Sequence, residues 1–287
     1  MKYKKLTTIV LALILLGNLK LCGQVPVNSF LKGLQGSMHP QVSWYTGTQL
    51  DSVHALDQGI LKNKASEWSC TVNATPGAEK DAINVTAVFR LEKGNVSSAA
   101  VSVAFDFSSW STENYVLVPA SIYNGNRYRA IGNGYNPEYP KEMYYNPDVP
   151  LTISNNPRLA LDPGVPSSIE LQTTNAATPA VCFFSPSLKK GFILLTEQET
   201  RLGNSGITIA ENLERTKVNI EITAPSVRKL AAGFGDFHPS GDLAADWKKG
   251  DEVSLRFCLY SFNSGSIPDL LKKFMLVRKS LTGPNHP

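Results

Sequence analysis

Residues 82–91 read Ala-Ile-Asn-Val-Thr-Ala-Val-Phe-Arg-Leu, with Ile83, Val85, Ala87, Phe89 and Leu91 at every second position. Side chains of a strand point alternately to its two faces, so a period of two makes a half-buried strand and disfavours a helix. The same character recurs along the chain. Strand candidates precede residue 121 at 99–107 and 115–120, and follow at 168–173, 180–185, 191–197, 206–210, 217–223 and 253–262. Turn-forming Gly, Pro, Asn and Ser separate them, as in Glu92-Lys93-Gly94-Asn95. Many short strands with no helical period between them predict an all-β fold, a large antiparallel β-sandwich. The series is too long for an immunoglobulin-type module of roughly 100 residues, so one supersandwich-like domain over residues 67–264 is expected.

The flanks differ. Residues 24–66 are expected to be an irregular lead-in. They hold a weakly amphipathic stretch at 28–34 and a short strand around Trp44 and Tyr45. Val53, Leu56, Ile60 and Leu61 then fit a short helix interrupted by Gly59. Residues 265–287 predict an amphipathic helix and tail. Ser266 is placed to cap, Pro268 suits a first turn, and Ile267, Leu270, Leu271, Phe274, Met275 and Val277 recur at helical spacing. Such a helix either packs on the sandwich or begins a linker to further helical structure.

Residues 1–23 form a secretory leader. Lys2, Lys4 and Lys5 precede an apolar run from 6 to 16 that is too short for a comfortable membrane span. Cleavage after Gly23 is expected, giving an exported protein of the periplasm or extracellular space. A second reading makes Cys22 a lipidated residue, although Leu21 stands where a small residue belongs. No later segment is long and apolar enough for a transmembrane helix. The four leader lysines account for the whole excess of 28 basic over 24 acidic side chains. The remaining chain is neutral and gives no electrostatic case for nucleic acid.

Cys70, Cys182 and Cys258 remain after the leader, each within a strand-like run. An odd number excludes full pairing within the chain, and buried free thiols are the simpler reading beside one disulfide. No Cys-x-x-Cys and no histidine cluster points to a metal, and no motif calls for a cofactor.

The most unusual stretch is 115–148. Six of the ten tyrosines (Tyr123, Tyr128, Tyr135, Tyr139, Tyr144 and Tyr145) fall within residues 123–145 of it. Tyr123, Asn124, Asn126, Arg127 and Tyr128 are therefore the candidate ligand-binding residues. Rings stack on the C–H faces of pyranoses, and amide and guanidinium groups pair with hydroxyls. The competing reading pairs Arg127 with a structural acid and packs the tyrosines against prolines. Elsewhere, carboxylates occur at Glu197, Glu199, Glu211, Glu214 and Glu221. Glu197 and Glu199, with Arg201, are expected to form a polar network at a strand end. Asp236 with His238 is a weak acid–base candidate in a Gly-rich loop. His39, His54 and His286 are scattered. No catalytic residue is assigned.

Residues 118–127, with Leu194-Leu195-Thr196-Glu197-Gln198 and the helix through Leu281, resemble the N-terminal portion of large secreted bacterial glycoside hydrolases. Those are built as a β-supersandwich, a linker helix and an (α/α) toroid. The resemblance implies that the toroid supplies the catalytic carboxylates and that this chain stops where a toroid would begin. Tyr123, Asn124, Asn126 and Arg127 would then face the cleft. The expected function is a non-catalytic accessory domain of an exported glycan-processing protein, supporting or docking a helical catalytic domain absent here. The alternatives are a free-standing carbohydrate-binding protein that uses the 123–145 loop, or a structural interaction module. Expected partners are a glycan or oligosaccharide and a helical domain or chain.

Overall fold

The computed structural model describes residues 26–127, 156–232 and 237–281. Residues 1–25 with Cys22, then Tyr128, Tyr135, Tyr139, Tyr144 and Tyr145, and also Asp236 and His286, lie outside the described residues.

The described chain is all-β, with helices only at its ends and single turns of 3-10 helix between strands. Helix α1 (Val27–Leu31) leads into β1 (Gly36–Thr46), β2 (Gln49–Ala55), β3 (Ile60–Lys62), β4 (Glu67–Pro76), β5 (Ala82–Lys93) and β6 (Asn95–Phe107). Next come β7 (Tyr115–Val118), β8 (Ile122–Tyr123), β9 (Ser167–Gln172), β10 (Ala180–Ser185) and β11 (Lys190–Thr196). The short β12 (Glu199–Thr200) and β13 (Gly203–Asn204) pair with each other, before β14 (Gly206–Glu211) and β15 (Val218–Ala224). A second small ribbon joins β16 (Leu230–Ala232) to β17 (Phe237–Pro239). Then β18 (Ala245–Lys248), β19 (Glu252–Asn263) and helix α2 (Ile267–Val277) complete the series.

Two antiparallel sheets form the sandwich. Sheet A runs β2-β1-β6-β15-β14-β9, with β18 added beside β6. Sheet B runs β3-β4-β5-β19-β11-β10-β7-β8. The alternation of β5 does what its sequence dictates: Val85, Ala87, Phe89 and Leu91 are buried against Val101, Val103, Phe105, Ile220 and Ile222 of sheet A. Edge-to-face rings tie the layers together, with Phe105 to Phe257 centroids 5.6 Å apart and Phe107 to Phe183 5.0 Å apart. The β5–β6 turn requires Gly94, whose φ is +90° and whose added Cβ would run into the Ala65 carbonyl oxygen.

Residues 24–66 correct the expected lead-in. They supply β1, β2 and β3, and β1 lies inside sheet A between β2 and β6. The helical spacing of Val53, Leu56, Ile60 and Leu61 misled because Val53 belongs to β2, Ile60 and Leu61 to β3, and Leu56 to the connection that turns at Gly59 (φ +79°). Val53 and Ile60 are exposed, so they were never one apolar stripe.

Helix α2 packs on the outer face of sheet B. Leu270, Phe274 and Val277 join Cys182, Phe184, Ile193, Leu195 and Tyr260 in a second apolar cluster. Strands β10 and β11 are thus covered on both faces, which explains their continuous apolar runs. Ser266 caps α2 by accepting from the Asp269 amide. Lys273 reaches Glu79 and, at 3.0 Å, Asp81, which ties the helix to the loop before β5. Cys70, Cys182 and Cys258 are free and buried. No helix among the described residues is long and apolar enough to cross a membrane.

Candidate functional site

The 115–127 stretch is built differently from a binding loop. Asn124, Gly125 and Asn126 have φ of 52°, 67° and 50°, all left-handed, where Asn and Gly are the residues that fit. The Asn126 carboxamide is consumed by the backbone: its Oδ1 accepts from the Tyr123 amide at 3.0 Å, and its Nδ2 donates to Ser121 O at 3.0 Å and Pro157 O at 2.9 Å. The Asn-Gly-Asn run therefore serves conformation. Tyr123 is 58% exposed, and its hydroxyl accepts from the Ala120 amide. Asn124 is exposed beside it.

Arg127 points inward. Its guanidinium forms a two-toothed pair with Glu211, and Nη1 also donates to Ala160 O at 2.7 Å. The side chains are only 4% and 0% exposed. Trp110 Nε1 and Ser167 Oγ donate to the same carboxylate at 2.6 Å and 2.7 Å, and Arg215 Nε stands 3.5 Å away. Burial alone would raise the Glu211 carboxyl, but the donors Arg127, Ser167 and Trp110 hold it below its ordinary value. Arg127 pairs with a structural acid, as the competing reading had it, and its guanidinium is not presented to solvent.

The other candidates are dispersed. Glu197 pairs with Arg256 at 2.6 Å on the surface of sheet B. Glu199 is exposed in β12, and Arg201 lies over the Trp247 ring at 5.6 Å, so the expected three-residue network does not form. His238 is exposed and faces Pro239 O.

A different surface gathers polar groups. The face of sheet A away from the core carries the alternate residues of its strands, and register lines them up in rows. His39, Ala104, Glu221, Thr208 and Glu170 form one row across β1, β6, β15, β14 and β9. Gln41, Ser102, Thr223, Gly206 and Gln172 form the next. Asp106 stands on the far side of the His39 row, within 3.3 Å of His39 Nδ1 and accepting from Asn219 Nδ2 at 2.9 Å.

A recess of about 270 Å³ lies over the β15, β14 and β9 part of this face. Tyr45 and the exposed Leu50 and Val53 border it on the β1–β2 side. Glu221, Glu170 and Ser226 supply its polar wall. Gly206 keeps it open, because a Cβ there would come within 3.2 Å of Ser226 Oγ. A wider recess of about 900 Å³ adjoins it and shares Glu170, Arg228 and Lys229. Arg228 is held by Asp242 through two guanidinium bonds of 2.7 Å and 3.0 Å, while the Lys229 amide donates to Glu170 at 2.7 Å.

The electrostatics of the recess are unusual for a strand face. Burial pushes the Glu221 carboxyl up; nearby Gln41 and His39 oppose this, and Asp106 and Glu170 reinforce it. Burial pushes the Tyr45 phenol up to about 12, again reinforced by Glu221 and Glu170 and opposed by Ser43. Gln41 Nε2 lies near enough to favour the Glu221 anion, yet has no hydrogen-bond partner of good geometry. Ser102 Oγ and Ser226 Oγ also lack one, although Ser226 is close enough to Asp242 to favour its anion. Gln41, Ser102 and Ser226 are each at most 5% exposed. Buried polar atoms in folded proteins are normally paired, and of these three only Ser226 lines the recess.

Sequence reasoning missed this face. Tyr45 was only a strand residue, His39 one of several scattered histidines, and Glu221 one carboxylate among five. The available signal was the polar half of the alternation in 217–223, where Asn219, Glu221 and Thr223 oppose Val218, Ile220 and Ile222.

No protein-family profile matches the sequence, and no curated protein sequence matches it. Similar solved structures include a protein from Escherichia coli K12 assigned as an aldose 1-epimerase, with 11% identity and a TM-score of 0.39 over 71% of this chain and 63% of that one. A Klebsiella pneumoniae protein with the same assignment gives 6% identity and a TM-score of 0.43 over 85% of this chain and 67% of that one. A galactose mutarotase related enzyme from Lactobacillus acidophilus gives 13% identity and a TM-score of 0.37 over 80% and 83%. This chain spans less than two thirds of the length of the E. coli protein. Likenesses this remote carry no argument about activity.

Proposed function

We propose that this chain is a glycan-binding β-sandwich module, an accessory to an exported bacterial glycan-processing system, and that it holds sugar on the polar face of sheet A. The observation that carries this reading is the recess itself. It sets a phenol ring and an apolar rim (Leu50, Val53) against carboxyls and hydroxyls projecting from neighbouring strands. Aromatic and aliphatic surface suits the C–H faces of a pyranose, and the polar wall suits its hydroxyls. The strands of sheet A carry these groups, whereas Arg127 is occupied by Glu211.

Calorimetric titration against plant, microbial and host polysaccharides tests the reading. Binding to at least one is expected, and Tyr45→Ala should weaken it about tenfold, the equivalent of about 1.4 kcal/mol. Uniformly flat titrations would sink it.

A second reading is favoured by α2. Ile267, Leu271, Met275 and Leu276 remain exposed, at 37%, 37%, 56% and 73%. Ile267, Leu271 and Met275 form a second apolar stripe beside the buried one, the kind of surface against which a helical partner domain packs, while Leu276 lies on the far side of the helix. If this stripe docks such a domain, Met275→Glu should abolish association in sedimentation experiments with an (α/α) toroid supplied in trans. Unchanged association would exclude that role for the stripe.

A further inference from the structure

Glu221 and Glu170 sit in one row on either side of Thr208, so two strand spacings, about 9.6 Å, separate their Cα atoms. Both line the recess, with the Tyr45 ring on its β1 side. The charged and titratable groups facing Glu221 are His39 and Tyr45 from β1, Asp106 from β6, Glu170 from β9, and Arg228 and Lys229 from the turn after β15. Arg228 is engaged by Asp242, and the interaction of Lys229 with Glu170 is through its backbone amide. Of the charges that act most strongly on Glu221, only His39 is basic. Tyr45, on a different strand, is pushed the same way by the same carboxylates. Two groups from separate elements thus feel one negative field.

Acceptors are present to match. Ser226 is 5% exposed, lines the recess, and has an Oγ with no hydrogen-bond partner of good geometry. Thr208 and Thr223 add hydroxyls to the floor. An ammonium group has three donors and no acceptor, and is attracted by an aromatic face as well as by carboxylates. A metal ion is a poor match, because no three His, Cys, Asp or Glu side chains among the described residues are grouped to hold one.

We infer that the recess selects a protonated amine carried on a hydroxylated ring, the chemistry of an amino sugar, with Glu221 and Glu170 flanking the ammonium and Tyr45 at its β1 side. This rests on the glycan-binding reading and gives it a substrate class. Uronic acids are rejected by the same carboxylates.

The test compares ligands that differ at one group. Chitosan, chitin and cellulose oligosaccharides of equal length carry an ammonium, an acetamide and a hydroxyl at the same ring position. Titrated into the whole protein at about pH 6, the ammonium series should bind about tenfold tighter than the other two, as expected for a cation held by carboxylates and a ring. The preference should shrink as salt is added and as pH falls through the Glu221 titration. Glu221→Gln should bring the ratio to about one, and Glu197→Gln, on the opposite sheet, should leave it unchanged. Should Glu221→Gln fail to fold, Glu170→Gln gives the same readout. A preference that survives both variants reflects general surface charge and overturns the inference. Equal binding of all three series overturns it while leaving the glycan reading standing. No binding of any oligosaccharide here or in the polysaccharide panel removes both.

Discussion

Glu211 is the residue on which the middle of the chain converges. It draws together Trp110 from the segment before β7, Arg127 from the turn after β8, Ser167 from β9 and Arg215 from the β14–β15 turn. Each donor is buried around a carboxylate with no solvent access. Removing one member of a buried charge set strands the others, so Glu211→Gln should cost about 3–5 kcal/mol in urea unfolding. The pH dependence has a definite sign. The folded-state pKa of Glu211 lies below its ordinary value, so its contribution is complete above that ordinary value and disappears as pH falls through the folded value. The wild-type melting temperature should therefore drop in acid, and the drop should be smaller in Glu211→Gln. An equal drop in both proteins would place the acid sensitivity elsewhere. Arg127 is held in place by this pair, so its guanidinium is engaged inside the fold.

At the level of elements, α2 is a structural part of the sandwich. It covers the outer face of β10, β11 and β19 and completes a second core. Leu270 is fully buried in that cluster, so Leu270→Ala should destabilise the fold by about 2–5 kcal/mol. Leu276, 73% exposed on the same helix, should be replaceable by Ser within about 0.5 kcal/mol. Equal effects of the two changes in denaturant titrations would mean that α2 does not dock as described. The helix was fully legible: cap, first-turn proline and apolar period all agree locally. Its docking face was not, because Ile267, Leu271 and Met275 are as apolar as Leu270, Phe274 and Val277. Only the position of sheet B distinguishes the two stripes.

For the molecule as a whole, one apolar core runs continuously between the sheets, from Trp68 and Trp247 at one end to Phe183 and Trp110 at the other. Cys70, Cys182 and Cys258 sit in strands of that structure, and burial pushes all three thiols up, Cys70 to about 12 and Cys258 to about 11. A buried thiol with little thiolate character is inert. The native protein should therefore leave all three unmodified by a thiol reagent over hours and expose them together on denaturation. Fast labelling of any one in the native state would show that its strand opens separately.

The sequence by itself determined the class of fold and most of its strands, because alternation is a local property: each residue's neighbours two places away already say which face it takes. It also determined the C-terminal helix, while the free state of Cys70, Cys182 and Cys258, left open beside one disulfide, was decided by the structure. It did not determine the role of residues 24–66, whose apolar spacing suited a helix until β1 found its partners in β2 and β6. Nor did it determine the site. His39, Glu221 and Glu170 lie far apart in sequence and become neighbours only through the register of five strands. Arg127 and Glu211, 84 residues apart, cancel one another only because β8 and β14 bring them together. Which polar groups are spent on each other and which are left facing a recess is decided by long-range pairing, and that pairing exists only in the tertiary structure.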